Sequence, residues 1–237
     1  YDKVQIRKEL LKCGAIFDEL HNEKLIESVV SALENEKAVG WMQGRMEFGP
    51  RALGGRSIIA DPRSPLMQKK LNLKVKYRES FRPFAPSVLR EDVSEWFEHE
   101  TDSPYMLLVA NVQNDKRRAM TKEEENLFGI DKLNVPRSSV PAITHVDYSA
   151  RIQTVHADTN PRYHAVISKF KEKTGCSLVV NTSFNVRGEP IICTPTDAFM
   201  CFMGTEIEVL AIGNYVLYKE QQDDALKKDY KKRYELD

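Results

Sequence analysis

Cysteine is scarce in this 237-residue sequence, and Cys13, Cys176, Cys193 and Cys201 share no paired spacing. That excludes a disulfide framework or a zinc-finger-like site and fits a reducing, cytoplasmic setting. No stretch of about 18 apolar residues is present to span a bilayer. The first ten residues, Tyr1 to Leu10, are charged throughout and lack the apolar core of a secretory signal. Because the sequence does not begin with Met, we expect a processed or truncated start. The formal net charge is zero, so overall charge selects no partner. Phosphate-loop and dinucleotide fingerprints are missing, as is the Gly-x-Ser-x-Gly elbow of serine hydrolases. His156 and His164 are eight apart across Pro161 and read poorly as metal ligands. His145 and Asp147 read as a satisfied polar pair.

What remains is an ordinary globular composition, 41% apolar and 30% charged. Asn22 to Asn35 places Leu25, Ile26, Val29, Val30 and Leu33 on one helical face. Strands are expected at Lys37–Gln43, Ser57–Ala60, Phe84–Leu89, Tyr105–Ala110, Ala150–Val155 and Ser177–Asn181, with one or two more in Glu206–Tyr218. Ser64 with Pro65 predicts a helix running to Lys76, and Asn160 with Pro161 predicts one that Gly175 stops. Thr194, Pro195 and Asp197 form a capping-box start. Asn111–Val140 is polar and reads as a long surface excursion. From Lys219 the charged tail reads as a helix. Alternating strands and helices predict an α/β or α+β fold around one mixed sheet. We expect a helical lead-in over residues 1–36, a main domain over 37–218 and a tail over 219–237.

Charge is unevenly placed. Between Arg45 and Arg82 there are ten basic residues against three acidic ones, a net of +7. Such a concentration suits an anion site or an RNA face; it also suits a merely solvated surface. Three segments carry chemistry. Gly44–Ser57 combines backbone-freeing glycines with Arg45, Arg51 and Arg56, which can clamp phosphate bidentately or pair on the surface. Lys76-Tyr77-Arg78 would point two cations to one side if extended. Asn181–Pro190 gathers Ser183, Asn185 and Arg187, donors suited to carbonyl or phosphate oxygens or to closing a turn.

Taken together and in order, Gly44–Ser57, Lys76–Val88 and Asn181–Pro190 resemble the C-terminal domain of the carbamoyltransferase family. This family modifies hydroxyls of nodulation factors, cephamycins and aminoglycosides. Ser103–Met106, Pro141–Asp147 and Ala150–Val155 extend the likeness, which covers about Lys37 to Leu217. The resemblance implies a YrdC-like twisted mixed sheet with Lys-x-Arg and Ser-x-Asn elements, matched here by Lys76/Arg78 and Ser183/Asn185. It implies that ATP, with Mg²⁺, meets carbamoyl phosphate or its carbamate product to give carbamoyl adenylate and pyrophosphate. Arg51, Arg56, Arg151 and Arg187 would join Lys76 and Arg78 in holding the anions, with no protein ligand assigned to the metal. The hydroxyl transfer itself would belong to an N-terminal domain with a histidine-bound metal, which nothing in this sequence resembles. A basic nucleotide- or RNA-binding module without catalysis is the alternative expectation.

Overall fold

In the computed structural model, residues 1–227 and Tyr230 are described. In chain order the elements are α1 (Lys3–Lys12), β1 (Asp18–Glu19), α2 (Asn22–Glu34), β2 (Val39–Met42), β3 (Arg56–Ala60), α3 (Met67–Lys74), β4 (Ala85–Leu89) and α4 (Val93–Trp96). There follow β5 (Leu108–Asn111), α5 (Lys122–Glu125), α6 (Gly129–Leu133), β6 (Ser149–Val155), α7 (Pro161–Thr174), β7 (Leu178–Ser183), α8 (Pro195–Gly204), β8 (Val209–Ile212) and β9 (Tyr215–Tyr218). The strands make one open mixed sheet in the order β1-β9-β8-β2-β3-β7-β4-β6-β5. The pairs β2/β8 and β4/β6 are parallel, and the rest antiparallel. This is the mixed α/β architecture expected from the alternating pattern.

Local chemistry explains the main helices. In α2, Leu25, Ile26, Val29, Val30 and Leu33 are all buried, the stripe predicted by 3.6-residue periodicity. Asn160 caps α7 through its side chain, Pro161 opens it, and Gly175 ends it at φ 75°. In α8, Thr194 and Asp197 form a reciprocal capping box. Helices α2 and α7 pack on each other, α2 on β2 and β8 and α7 on β4 and β7, while α8 packs on β2 and β8 and carries α1 against it. The residues before Lys37 are tied into this body, since β1 pairs with β9 and α2 contributes to the common core.

Several expectations are corrected. The helix after Ser64 begins only at Met67, because residues 62–66 turn first and the Ser64 side chain caps nothing. Strand β5 starts at Leu108 rather than Tyr105, since Ser103–Met106 forms a turn with Met106 at φ 56°. The excursion over 111–140 holds two short helices and an Arg117–Ser138 bridge, with Val112, Val135 and Val140 buried. The tail is not an α-helix over its described part, which has 3-10 turns at Lys219–Gln221 and Asp224–Leu226. There Gln222 exchanges two hydrogen bonds with the Ile16 backbone. The rest of the expected tail helix, Tyr230 apart, lies outside the described residues. Among the described residues no helix is long and apolar enough to cross a membrane.

The candidate anion-binding site

Strand register brings the three basic and polar segments to one end of the sheet. Met42 at the end of β2 faces Arg56 at the start of β3, and Ser57 faces Ser183 at the end of β7. Ala85, opening β4, faces Asn181. Ser87 faces Gln153, so the same parallel register sets Arg151 of β6 beside Ala85. Side chains two apart on a strand share a face. Ser57, Ser183, Asn181, Ser87, Gln153 and Arg151 therefore form one polar field on a single face.

The buried amides of that field hold the Gly/Arg loop down. Asn181 Nδ2 donates to Ala52 O at 3.0 Å and to Gln153 Oε1 at 2.8 Å, and Gln153 Nε2 donates to Leu53 O at 2.9 Å. Gly54 N donates to Ser57 Oγ at 3.0 Å. Glu47 braces the same loop, its Oε1 accepting from Leu53 N at 2.6 Å and Gly55 N at 2.7 Å. Phe184, following β7, is fixed from the opposite side. A Cβ on Gly40 would lie 2.6 Å from its ring, so only glycine lets the ring sit against β2.

The Lys-x-Arg and Ser-x-Asn elements meet directly. Lys76 is buried, and its ammonium donates to Ser183 O at 2.5 Å, Asn185 Oδ1 at 2.7 Å and Asn185 O at 2.9 Å, with Ser183 Oγ at 3.3 Å. Ser183 Oγ donates to Asn185 Oδ1 at 2.7 Å. Every one of these acceptors is neutral. Burial, then the neighbouring Arg78 charge, pushes Lys76 down to about 7. Burial, then Arg82, takes Arg78 down to about 10, which leaves it charged at neutral pH. Asn72, fully buried in α3, accepts from Arg78 Nε at 2.7 Å, and the guanidinium lies 5.0 Å from the centre of the Phe84 ring. The backbone here is not extended as expected: Tyr77 adopts φ 51°. The turn nevertheless puts both cations on one recess of about 330 Å³, shared with Arg82, Ser183, Asn185 and Arg187.

A second cationic group lies across the sheet end. Arg151 and Arg51 are close enough that, after burial, the Arg51 charge lowers the Arg151 pKa. The Nε atoms of both are buried without a hydrogen-bond partner. Two strand spacings, about 10 Å, separate the backbone of Arg151 from that of Asn181. Arg56 is placed differently. It is 2% exposed, adjacent residues alternate faces, and it points away from the Ser57 side of the sheet. Its guanidinium donates to Gln43 O, Gly44 O, Gly55 O and Cys193 O at 3.0–3.3 Å.

Residues 30–219 match the carbamoyltransferase C-terminus family. The chain belongs to that family. The domain is 57% identical over 224 residues to the uncharacterized protein sll1178 of Synechocystis, covering 94% of this chain and 36% of that protein. It is 41% identical over 214 residues to nodulation protein NolO of Bradyrhizobium diazoefficiens, 89% of this chain and 35% of that one. Against the 3'-hydroxymethylcephem-O-carbamoyltransferase of Streptomyces clavuligerus it is 35% identical over 184 residues, 78% and 31% of the two chains. The chain spans about a third of the length of these relatives.

Within this carbamoyltransferase domain, several organising residues escape a reading of motifs alone. Asn72 and Gln153 are buried amides, in α3 and in the largely buried strand β6. An amide among apolar neighbours is the signal that could have found them. Glu189 lay unmarked inside the Asn181–Pro190 segment, and Tyr230 had no such signal. The Arg51/Arg151 pair supports a test. Arg151→Met relieves the like-charge contact and removes an unpartnered Nε. We expect unchanged or higher melting temperature in the unliganded protein, with phosphate or pyrophosphate binding weakened about tenfold or more. Calorimetry beside a thermal melt measures both; lowered stability with unchanged binding would make Arg151 a purely structural residue.

Proposed function

We propose that this domain activates a carbamoyl group with ATP, giving carbamoyl adenylate and pyrophosphate as one stage of carbamoyl transfer. In this reading water first cleaves carbamoyl phosphate to carbamate and phosphate. A carbamate oxygen then bonds to the α-phosphorus of ATP, the α–β bridging P–O bond breaks, and pyrophosphate leaves with the electron pair. Such a displacement needs positioned positive charge rather than a protein nucleophile. The reading rests chiefly on Lys76, a buried ammonium bonded only to neutral oxygens on a recess that also holds Arg78, Arg82 and Arg187. Among the described residues Lys76 has no carboxylate within hydrogen-bonding distance, Glu189 being the acid on the recess wall, so an arriving anion would supply a direct counter-charge.

Lys76, Arg78 and Arg187 would neutralise charge on the phosphates. Ser183 and Asn185 would orient the carbamoyl or phosphate oxygens, and Arg51 with Arg151 would hold a second anionic group. Mg²⁺ would enter as the counter-ion of ATP, coordinated largely by phosphates and water, where it withdraws charge from the phosphate oxygens. Among the described residues no group of three His, Cys, Asp or Glu side chains is placed to hold a metal ion. Transfer to a hydroxyl would fall to the part of the relatives that lies outside this chain.

An RNA-binding face draws less support. Arg63, Lys70 and Lys74, which swell the local positive charge, are ion-paired with Asp61, Glu208 and Glu206. The decisive measurement is ³¹P NMR of the domain with ATP, Mg²⁺ and carbamoyl phosphate. Pyrophosphate, with AMP or its carbamoyl ester, is expected only when all three are present, and no added hydroxyl acceptor becomes carbamoylated. AMP formed without carbamoyl phosphate, or ADP in its place, would overturn the assignment. Tight, salt-sensitive RNA binding with neither product would favour the binding-module alternative.

A further inference from the structure

Beyond the matched region, a residue of the C-terminal tail reaches back to the site. Tyr230 is 2% exposed, and its hydroxyl donates to Glu189 Oε1 at 2.5 Å. Glu189 lies in the loop after β7. Its Oε2 accepts from Val186 N at 2.9 Å, and its backbone oxygen accepts from Asn185 Nδ2 at 2.6 Å. That last bond fixes which way the Asn185 amide faces, leaving Oδ1 to Lys76 and Ser183.

The seat for Tyr230 is Gly204, the last residue of α8. A Cβ there would lie 2.4–2.5 Å from Cβ, Cγ and Cδ2 of Tyr230. The Gly204 carbonyl in turn accepts from the Tyr77 hydroxyl at 2.9 Å. Tyr77 sits between Lys76 and Arg78 in the left-handed conformation, which a bulky residue adopts only when its surroundings hold it. One glycine therefore anchors both walls of the recess, the 76–78 turn and the 185–189 loop.

We infer that Tyr230 is a positioning residue for this site: it holds the Glu189 carboxylate on its own loop and keeps it off the Lys76 ammonium. The inference rests on the reading of Lys76 as an anion-binding group. Among the described residues, Glu189 is the carboxylate whose charge bears on Lys76, and beside the ammonium it would compete with a phosphate. Glu189 already raises the Lys76 pKa slightly from where it stands, as Cys201 does, while burial and Arg78 lower it. Without the Tyr230 hydroxyl, Glu189 Oε1 loses a hydrogen bond while Oε2 keeps Val186 N, and the carboxylate would be drawn toward the ammonium on the same recess.

The test uses Tyr230→Phe, which keeps the ring on Gly204 and removes only the hydroxyl. Lys76 is followed through its Cε resonance by NMR titration, and pyrophosphate binding by calorimetry, at a temperature where circular dichroism matches the wild type. The variant is expected to titrate higher at Lys76 and to bind pyrophosphate about tenfold more weakly. Adding Glu189→Gln to it should bring the titration back down. Unchanged titration and binding in Tyr230→Phe would overturn the proposal. So would a defect in Tyr230→Ala that Tyr230→Phe does not share, because ring packing alone would then account for it. If the wild-type domain binds no pyrophosphate, the adenylation reading fails, and the Lys76 titration alone decides the role of Tyr230.

Discussion

Lys76→Met lowers carbamoyl-phosphate-dependent pyrophosphate release by at least about a hundredfold, the expected consequence of deleting a buried charged contact to the reacting anions. Lys76→Arg does not restore it, because the planar guanidinium cannot fit the ring of Ser183 and Asn185 oxygens that closes around a compact ammonium. The pH dependence separates this role from simple packing. With its pKa depressed to about 7, Lys76 loses its charge as pH rises through neutrality. Pyrophosphate binding by the wild type should therefore weaken from pH 6 to 9 and take up a proton below saturation, while Lys76→Met binds weakly and without that slope. Full activity in Lys76→Met, or a pH-independent wild type, would remove Lys76 from the site.

Stability responds to the same group in the opposite sense. Between about pH 7 and the ordinary lysine range, the unfolded chain carries a proton on Lys76 that the folded chain has lost. Stability rises with pH wherever the unfolded state binds more protons. Lys76 therefore opposes folding fully below pH 7, and the opposition fades as pH climbs toward 10. An anion that binds the ammonium raises its pKa and removes the penalty. On the proposed reading, ligand binding would be coupled to the protonation of one side chain, and a bound anion would offset the cost of burying it.

The sequence disclosed the pieces of this site more readily than their wiring. Gly44–Ser57, Lys76–Arg78 and Asn181–Pro190 are visible because glycine-rich, basic and amide-rich runs differ from the core around them. Their convergence depends on strand order, and β3, β7, β4 and β6 are neighbours only through crossovers that no local pattern encodes. The count of ten basic residues over Arg45–Arg82 also misled in part, since Glu206 and Glu208 neutralise two of them from more than a hundred residues away. The same-side placement of Lys76 and Arg78 was anticipated for an extended backbone, yet it arises from the left-handed turn at Tyr77. Helices α2 and α7 and the start of α8 were legible almost to the residue because periodicity and caps are local properties. The 3-10 turns of the tail were not, because Gln222 is held there by the Ile16 backbone rather than by its neighbours in sequence.

Arg56→Ala should separate two roles that a sequence cannot tell apart. A phosphate clamp, when truncated, lowers anion affinity and leaves the melting temperature alone. The structure instead has the Arg56 guanidinium buried under four backbone carbonyls that join the end of β2, the Gly/Arg loop and the segment before α8. Removing it takes the donor from Gln43 O, Gly44 O and Cys193 O, while Gly55 O keeps its bond from Gln43 N, and opens a cavity where a long side chain lay. The expected loss is about 3–5 kcal/mol, the range for breaking a buried charged network from one side. For a domain of this size that corresponds to a fall of roughly 6–20 °C in melting temperature. Arg56→Lys should recover little, since three ammonium hydrogens on a flexible stem cannot reproduce a planar fork reaching four carbonyls. Anion binding, measured at a temperature where the variant is folded, should weaken only through loosening of the Gly44–Gly55 loop. A variant that keeps its melting temperature while losing anion affinity would return Arg56 to the ligand side of the site, and the carbonyl contacts would then describe a resting position from which the side chain swings.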